Sequence, residues 1–353
     1  MKFARILATL AVMVLLSCSS EQQKPQLESD FPSVEHLDEY EMLDVPDYIE
    51  RMDVKGNYIV FKTSNKSQHA CLIDTANDRK QFFLTEGRGP GETTNLIDIS
   101  FYDERTLQAS VDPESIMLFD VDSLMSGKTI PEFTYRLSEG QFAFPNITGI
   151  SEHEVLYCGK NHGYTDNPTN YCIENVETGK IKGFGNFPDD EITKSIPTED
   201  YSLQTAYQAK VRPSPDKDRA VAFYFYALGF EILDTKASTV ISSRMYSPLG
   251  AKVTYNEVMN ANFITRDPEA LRGFLDVAVT EEYIYLLASL KRFCDDGYNK
   301  GQEVYRYSWD GTPDKHFQLT LPTSSIAVSA DDKTLYAIKN GSDYDAVVMY
   351  KIQ

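Results

Sequence analysis

The stretch "SEHEVLYCG" (151–159) is a charged turn that runs straight into an alternating apolar strand. Short polar residues suit a tight reversal, and a period of two suits a strand with packed faces. The same unit recurs as "VKGNYIVFK" (54–62), "DERTLQASV" (103–111), "DKDRAVAFY" (216–224), "TEEYIYLLA" (280–288) and "ADDKTLYAI" (330–338). A second unit follows each copy, a strand that often ends in an acid or Asn and a polar turn. Its copies are "ACLIDTAND" (70–78), "IMLFDVDSL" (116–124), "YCIENVETGK" (171–180), "GFEILDTKA" (229–237), "VYRYSWDGT" (304–312) and "VVMYKIQ" (347–353). Six interleaved copies at intervals of about 48 to 65 residues fit the four-stranded blades of a β-propeller. With strands a to d numbered outward from a central channel, the first unit is the a–b turn with strand b. The second is strand c with the c–d turn.

The sixth copy ends the sequence, so its blade lacks a strand d. "EYEMLDV" (39–45) has no blade of its own and supplies the missing outer strand, which leaves no exposed seam. The predicted fold is therefore all-β: a six-bladed β-propeller of four-stranded antiparallel blades, closed by an N-terminal strand in the last blade. Composition agrees, with 22 tyrosines, 19 phenylalanines and little long helical periodicity. A β-sandwich or two smaller β domains would use the same strands but would not explain the interleaving. "TEDYSLQTAYQAKV" (198–211) and "TYNEVMNANF" (254–263) read as short helices or irregular loops inserted between blades.

The first 18 residues carry Lys2 and Arg5, an apolar run over 6–16 and the ending Leu15-Leu16-Ser17-Cys18. That is an export signal, too short to span a bilayer. The ending resembles the bacterial lipobox, which implies cleavage before Cys18 and lipidation of its thiol. The expected organisation is a signal peptide over 1–17, a flexible tether over 18–35 and the propeller over 36–353. The address is the cell envelope, lipid-anchored at the outer membrane. The stretch Ser19–Gln23 holds one acid and leaves the periplasmic or surface face open. The net charge of −19 becomes −21 without Lys2 and Arg5, which argues against nucleic acid as a partner. The membrane is met through the lipid.

Of the four other cysteines, Cys158 and Cys172 flank a hairpin loop, and a disulfide between them stays open. No cysteine spacing matches a zinc site, and no metal or other cofactor is expected.

"EGRGPGE" (86–92) invites a phosphate-binding reading that fails on chemistry. Glu92 stands where a nucleotide loop needs a cation, and Pro90 removes a backbone N–H. The stretch reads instead as a d-to-a crossing between blades 1 and 2. Connections d–a and loops b–c share one face of a propeller, so Arg88 and Glu92 are candidates for the channel mouth. Two long b–c loops reach the same face. Asn161, His162 and Tyr164 in "KNHGYTDNPTNY" (160–171) and Lys291, Arg292 and Tyr298 in "LKRFCDDGYNKGQ" (290–302) are ligand-binding candidates. No catalytic residue can be named. "HEVLY" (153–157) lacks the second His of a zinc-protease helix, and no Gly-x-Ser-x-Gly elbow occurs.

"TAYQAKVRPSPDKDRAVAFYFYALGFEILD" (205–234), "EVYRYSWDGTPDKHFQLTLPTSSIAVSADDKTLYAI" (303–338) and the Gly-Pro-Gly-Glu run resemble the TolB-like six-bladed propeller lipoproteins of Bacteroidetes. The resemblance covers nearly the whole chain after the signal and implies a lipid-anchored propeller without a defined activity. The charged segment 288–302 is longer than the small loop expected there. The expected function is binding or accessory, for a glycan, peptide or partner protein. The alternative is a hydrolase or lyase with its site at the channel mouth, and a purely structural role is a third reading.

Overall fold

Each first unit of the sequence and the second unit that follows it are a pair of adjacent strands in the computed structural model. It describes residues 27–352 except 47, 66, 161–168, 189, 196–201, 258–260 and 341–344. Six sheets run from an inner strand outward in chain order, except that the outermost strands of the last two come from the N-terminal side. The inner strands are Ile49–Lys55, Asp98–Phe101, Phe142–Gly149, Ala209–Pro213, Asp276–Val279 and Ile326–Val328. Around the ring each inner strand touches the neighbouring blade. The chain is a six-bladed β-propeller.

Closure occurs where the pattern places it. Glu39–Asp44 pairs antiparallel with Asp345–Lys351, setting Met42 opposite Val348 and Leu43 opposite Val347. Blade 6 thereby takes its outer strand from the N-terminal side of blade 1, and the last strand loses its free edge.

Alternation along the strands explains the packing. In blade 1, Val60 faces blade 2 with Leu107 and Phe119, while Ile59 and Phe61 face blade 6 with Ile338 and Val347. One apolar cluster fills each of the six gaps between blades. Both faces of every blade are buried, so apolar residues exceed strict alternation in the middle strands. Buried polar tips find partners across the gaps. The Tyr171 hydroxyl donates to Glu231 Oε2 at 2.6 Å, from blade 3 to blade 4.

Two expectations need correction, and one open question is answered. The tether expected over 18–35 is folded from Leu27 onward. Leu27 and Phe31 are buried beside Tyr305 and Tyr307, with the Phe31 ring 5.1 and 5.2 Å from theirs. Asp30 Oδ2 accepts the Tyr246 hydroxyl at 2.9 Å, and Glu35–Leu37 adds a parallel strand to Pro313–Thr323 of blade 5. Two well-spaced apolar residues outweigh the polar composition around them. Secondly, the described ends of 254–263 are strands and not helix or irregular loop: Ala251–Asn256 and Ala261–Arg266 pair antiparallel between blades 4 and 5. The other insertion is a short helix, Ser202–Ala206.

The disulfide left open between Cys158 and Cys172 is not formed, and both are free thiols. Cys172 lies opposite Tyr157, and Cys158 opposite Tyr171. The one-residue offset sends the two thiols to opposite faces of blade 3, one into the gap with blade 4 and one into the gap with blade 2.

Candidate functional site: a charged channel and its mouth

The inner strands carry charged or polar residues at alternate positions: Arg51 and Asp53, Asp98 and Ser100, Asn146 and Thr148, Lys210 and Arg212, and Asp276. On an inner strand these positions meet the channel, where no neighbouring blade covers them. Ion pairs then cross the ring between blades that are not neighbours. Arg51 of blade 1 pairs with Asp276 of blade 5 at 2.7 Å. Lys210 of blade 4 pairs with Asp98 of blade 2 at 2.7 Å, and Arg212 reaches Asp53 of blade 1 at 3.4 Å. Asp276 Oδ2 also accepts the Ser325 hydroxyl at 2.5 Å and the Ile326 N–H at 3.1 Å. Asp53 Oδ2 accepts the Phe101 N–H at 2.9 Å. These bonds plug the channel and pin opposite sides of the ring together.

The environment sets the titration of each member. Burial pushes the Lys210 ammonium down to about 8, against the pull of Asp98. Asp98 meets the same burial, but the Lys210 and Arg212 charges prevail and hold its carboxyl below the usual range. Burial prevails at Asp53 and raises its carboxyl, against Arg212 and two backbone donors. Each channel carboxylate is committed to a cation. Among the described residues no group of three or more His, Cys, Asp and Glu side chains is placed to hold a metal ion.

Above the plug, on the face of the d–a connections and b–c loops, lies a cavity of about 560 Å³ spanning blades 5, 6 and 1. Arg51 lies in its wall, along with Arg272, Lys300, Asn299, Tyr48 and Asp345. Arg272 is buried, stacked 3.9 Å from the Phe225 ring, and its NH1 donates to the carbonyls of Phe225 at 2.8 Å and Phe274 at 3.4 Å. No carboxylate of the described residues lies within ion-pair distance of it. Burial, with the Arg51 charge second, lowers its guanidinium to about 9. Asp345 spends Oδ2 on the Ile49 N–H at 2.9 Å, and Glu50 pairs with Lys62 at 3.1 Å. Tyr48 is a non-glycine residue at φ 66°, two-thirds exposed, with its carbonyl accepting the Ser64 N–H at 2.8 Å. Positive φ on an exposed aromatic is a strained way to present a ring and concentrates at binding sites.

The predicted residues fall in three places. Arg88 and Glu92 line a second cleft of about 600 Å³ between blades 1 and 2, with Asp112, Met117 and Arg136, away from the channel. Arg88 is exposed, whereas Glu92 folds back so that its Oε2 accepts the Gly89 N–H at 2.7 Å. Lys291, Arg292 and Tyr298 hold their own loop together. Lys291 Nζ donates to the Asp296 carbonyl at 3.1 Å, and Arg292 pairs with Glu269 at 2.7 Å and Asp295 at 2.9 Å. The Tyr298 hydroxyl accepts Arg266 NH1 at 2.7 Å, and its ring packs on Phe293. The loop so braced covers Arg272 and delivers Asn299 and Lys300 to the mouth. Asn161, His162 and Tyr164 lie outside the described residues. Sequence reasoning missed Tyr48, Arg51, Arg272 and Lys300; for Arg51 the signal was the charged pair at i and i+2 on an inner strand.

The sequence model of the family described as TolB-like 6-blade propeller-like matches residues 48–331. Among solved structures, a member of the DUF4221 family from Bacteroides vulgatus is similar over 90% of this chain and 97% of its own, at 10% identity and a TM-score of 0.55. The β-propeller domain of Myceliophteria thermophila Cps50 (Swd1) aligns over 90% of this chain and 100% of its own, at 11% identity and a TM-score of 0.46. No curated protein matches the sequence.

Proposed function

This chain belongs to the TolB-like six-bladed propeller family, and from that premise we propose that it is a binding protein of the cell envelope whose ligand site is the channel mouth. The observation that carries this reading is the cavity of about 560 Å³ over a channel closed by cross-ring ion pairs. A closed floor makes the mouth a receptacle instead of a passage. Its walls come from loops of several blades, and rigid scaffolds commonly present binding residues this way. A glycan, peptide or partner protein enters from the d–a face. Cys18 holds the chain to the membrane through lipid, and the export signal motivates that part of the reading.

The test fills the mouth. Ser324 lies in its wall. Ser324→Trp and the unaltered chain are screened side by side on arrays of glycans and peptides. Binding by the unaltered chain that Ser324→Trp loses, with an unchanged thermal midpoint, supports the reading. Equal binding by both proteins sinks it. The anchor is tested separately by Cys18→Ala, which should abolish acyl labelling and release the protein from membranes. Undiminished membrane association would refute the anchor alone.

A further inference from the structure

The charges that meet at the channel do not balance. Arg51, Lys210, Arg212 and Arg272 face Asp53, Asp98 and Asp276. The odd cation is Arg272, which is more than nine-tenths buried and lies in the wall of the mouth. Its NH1 is committed to two backbone carbonyls, and its flat face to Phe225. Its Nε and NH2 have no acceptor among the described residues. That leaves one edge of a guanidinium, fixed in orientation by the stack, with two parallel N–H donors. The two coplanar oxygens of a carboxylate match such an edge, with gains in energy and in geometry. Lys300 adds a second cation at the mouth whose ammonium has no carboxylate partner among the described residues. Of the two described acids in the wall, Glu50 pairs with Lys62 and Asp345 accepts the Ile49 N–H, against the four cations Arg51, Lys62, Arg272 and Lys300. A cationic mouth on a chain of net charge −19 is a local inversion that draws anions to this one place.

Tyr48 and the remaining wall define what bears the carboxylate. The wall offers hydroxyls, an amide and charges, from Ser64, Ser324, Asn299 and Lys62, with few apolar side chains. Hydroxyl-rich ligands suit that surface, and apolar peptide side chains do not. The exposed Tyr48 ring supplies a flat face for the C–H side of a pyranose. Resting on the reading of the mouth as the ligand site, we propose that this propeller binds an acidic sugar. Arg272 takes the carboxylate through its Nε–NH2 edge, Lys300 adds attraction, and Tyr48 stacks on the ring.

Calorimetric titration of the purified chain tests this with matched probes. Methyl glucuronide, methyl galacturonide and N-acetylneuraminate are the acidic sugars, methyl glucoside and methyl galactoside their neutral counterparts. N-acetylalanine and inorganic phosphate report other anion sources. The expected result is binding of at least one acidic sugar at least about 10-fold tighter than any neutral sugar, N-acetylalanine or phosphate. Arg272→Gln should weaken it by about 10-fold or more, and the surface changes Lys300→Glu and Tyr48→Ala by about 3- to 10-fold each. Should Arg272→Gln fail to fold, the two surface variants decide alone. No acidic sugar bound at up to about 10 mM overturns the inference, as does unchanged affinity in Lys300→Glu and Tyr48→Ala. Phosphate or N-acetylalanine bound as tightly, with the same dependence on Lys300, overturns the sugar assignment. A neutral glycan or peptide that Ser324→Trp excludes, but Lys300→Glu still binds, leaves the mouth as the ligand site and removes the acidic sugar from it.

Discussion

Single residues in this propeller do work that their type alone does not announce, and the glycines of 86–92 show it. Gly91 has φ 76°, and a Cβ built there would overlap the Thr129 carbonyl oxygen, which is backbone and cannot swing away. Gly89 has no such conformation, and a Cβ there would meet only the Glu92 carboxylate, the end of a side chain that can turn aside. Gly91→Ala should therefore destabilise by roughly 1–3 kcal/mol in urea titration, and Gly89→Ala by less. Arg88→Ala should leave the midpoint unchanged, because the side chain is exposed and lines an open cleft. An equal loss at the two glycines would refute this division. Asp276 is the opposite case, a residue with more partners than its inner-strand position suggests. It receives Arg51, Ser325 and the Ile326 N–H, with Lys210 at 3.8 Å. Asp276→Ala leaves the partly buried Arg51 without its carboxylate and the buried Ser325 hydroxyl and Ile326 N–H without their acceptor, while Lys210 keeps Asp98, and should cost about 2–4 kcal/mol. A change under about 1 kcal/mol would mean that water replaces the carboxylate in the channel.

At the scale of the strand, the buried thiols of blades 1 and 3 set a pH limit. Burial pushes Cys71, Cys158 and Cys172 up to about 12 each. Once unfolded, a thiol ionises near its ordinary value, while the folded one stays protonated. Between about pH 9 and 12 the folded state thus binds more protons, and stability falls as pH rises. Each thiol steepens that fall by about 1.4 kcal/mol per pH unit, so Cys71→Ala should flatten the slope of unfolding free energy above pH 9 by that amount. A slope unchanged by the substitution would show that other groups dominate. The strand scale is also where the sequence was most legible. Turn residues followed by alternation are local signals, and the repeat 54–62, 103–111, 151–159 places every strand b without knowledge of the ring. The channel was less legible because its pairs join blades 1 and 5, 4 and 2, and 4 and 1. Nothing local says that Arg51 meets Asp276. The paired strands 251–256 and 261–266 were misread because Val253, Tyr255, Phe263 and Ile264 pack only partly or lie exposed, which blurs a period of two into something helix-like.

At the scale of the molecule, the N-terminal segment acts twice, and the two actions separate by truncation. Residues 27–37 strap blades 4 and 5 from outside: Phe31 sits among Tyr305, Tyr307 and His316, and Asp30 reaches Arg244 and Tyr246. Residues 39–44 close the ring as the outer strand of blade 6. A chain begun at Leu27 keeps both. A chain begun at Glu39 loses the strap, including the three buried side chains Leu27, Phe31 and Leu37, worth roughly 1.5–3 kcal/mol each, yet keeps a closed ring. Its thermal midpoint should fall by several degrees with a single cooperative transition. A chain begun at Pro46 loses the outer strand as well and exposes the backbone of Asp345–Lys351 along its length. An unpaired edge next to buried Val347 and Val348 invites pairing between molecules, so this chain should aggregate or unfold without cooperativity. The comparison that decides is between the last two chains. If the one begun at Pro46 melts as cooperatively as the one begun at Glu39, and at the same temperature, then the strand adds nothing to the ring. The cross-channel ion pairs and the clusters between blades would then suffice to hold six blades in a circle.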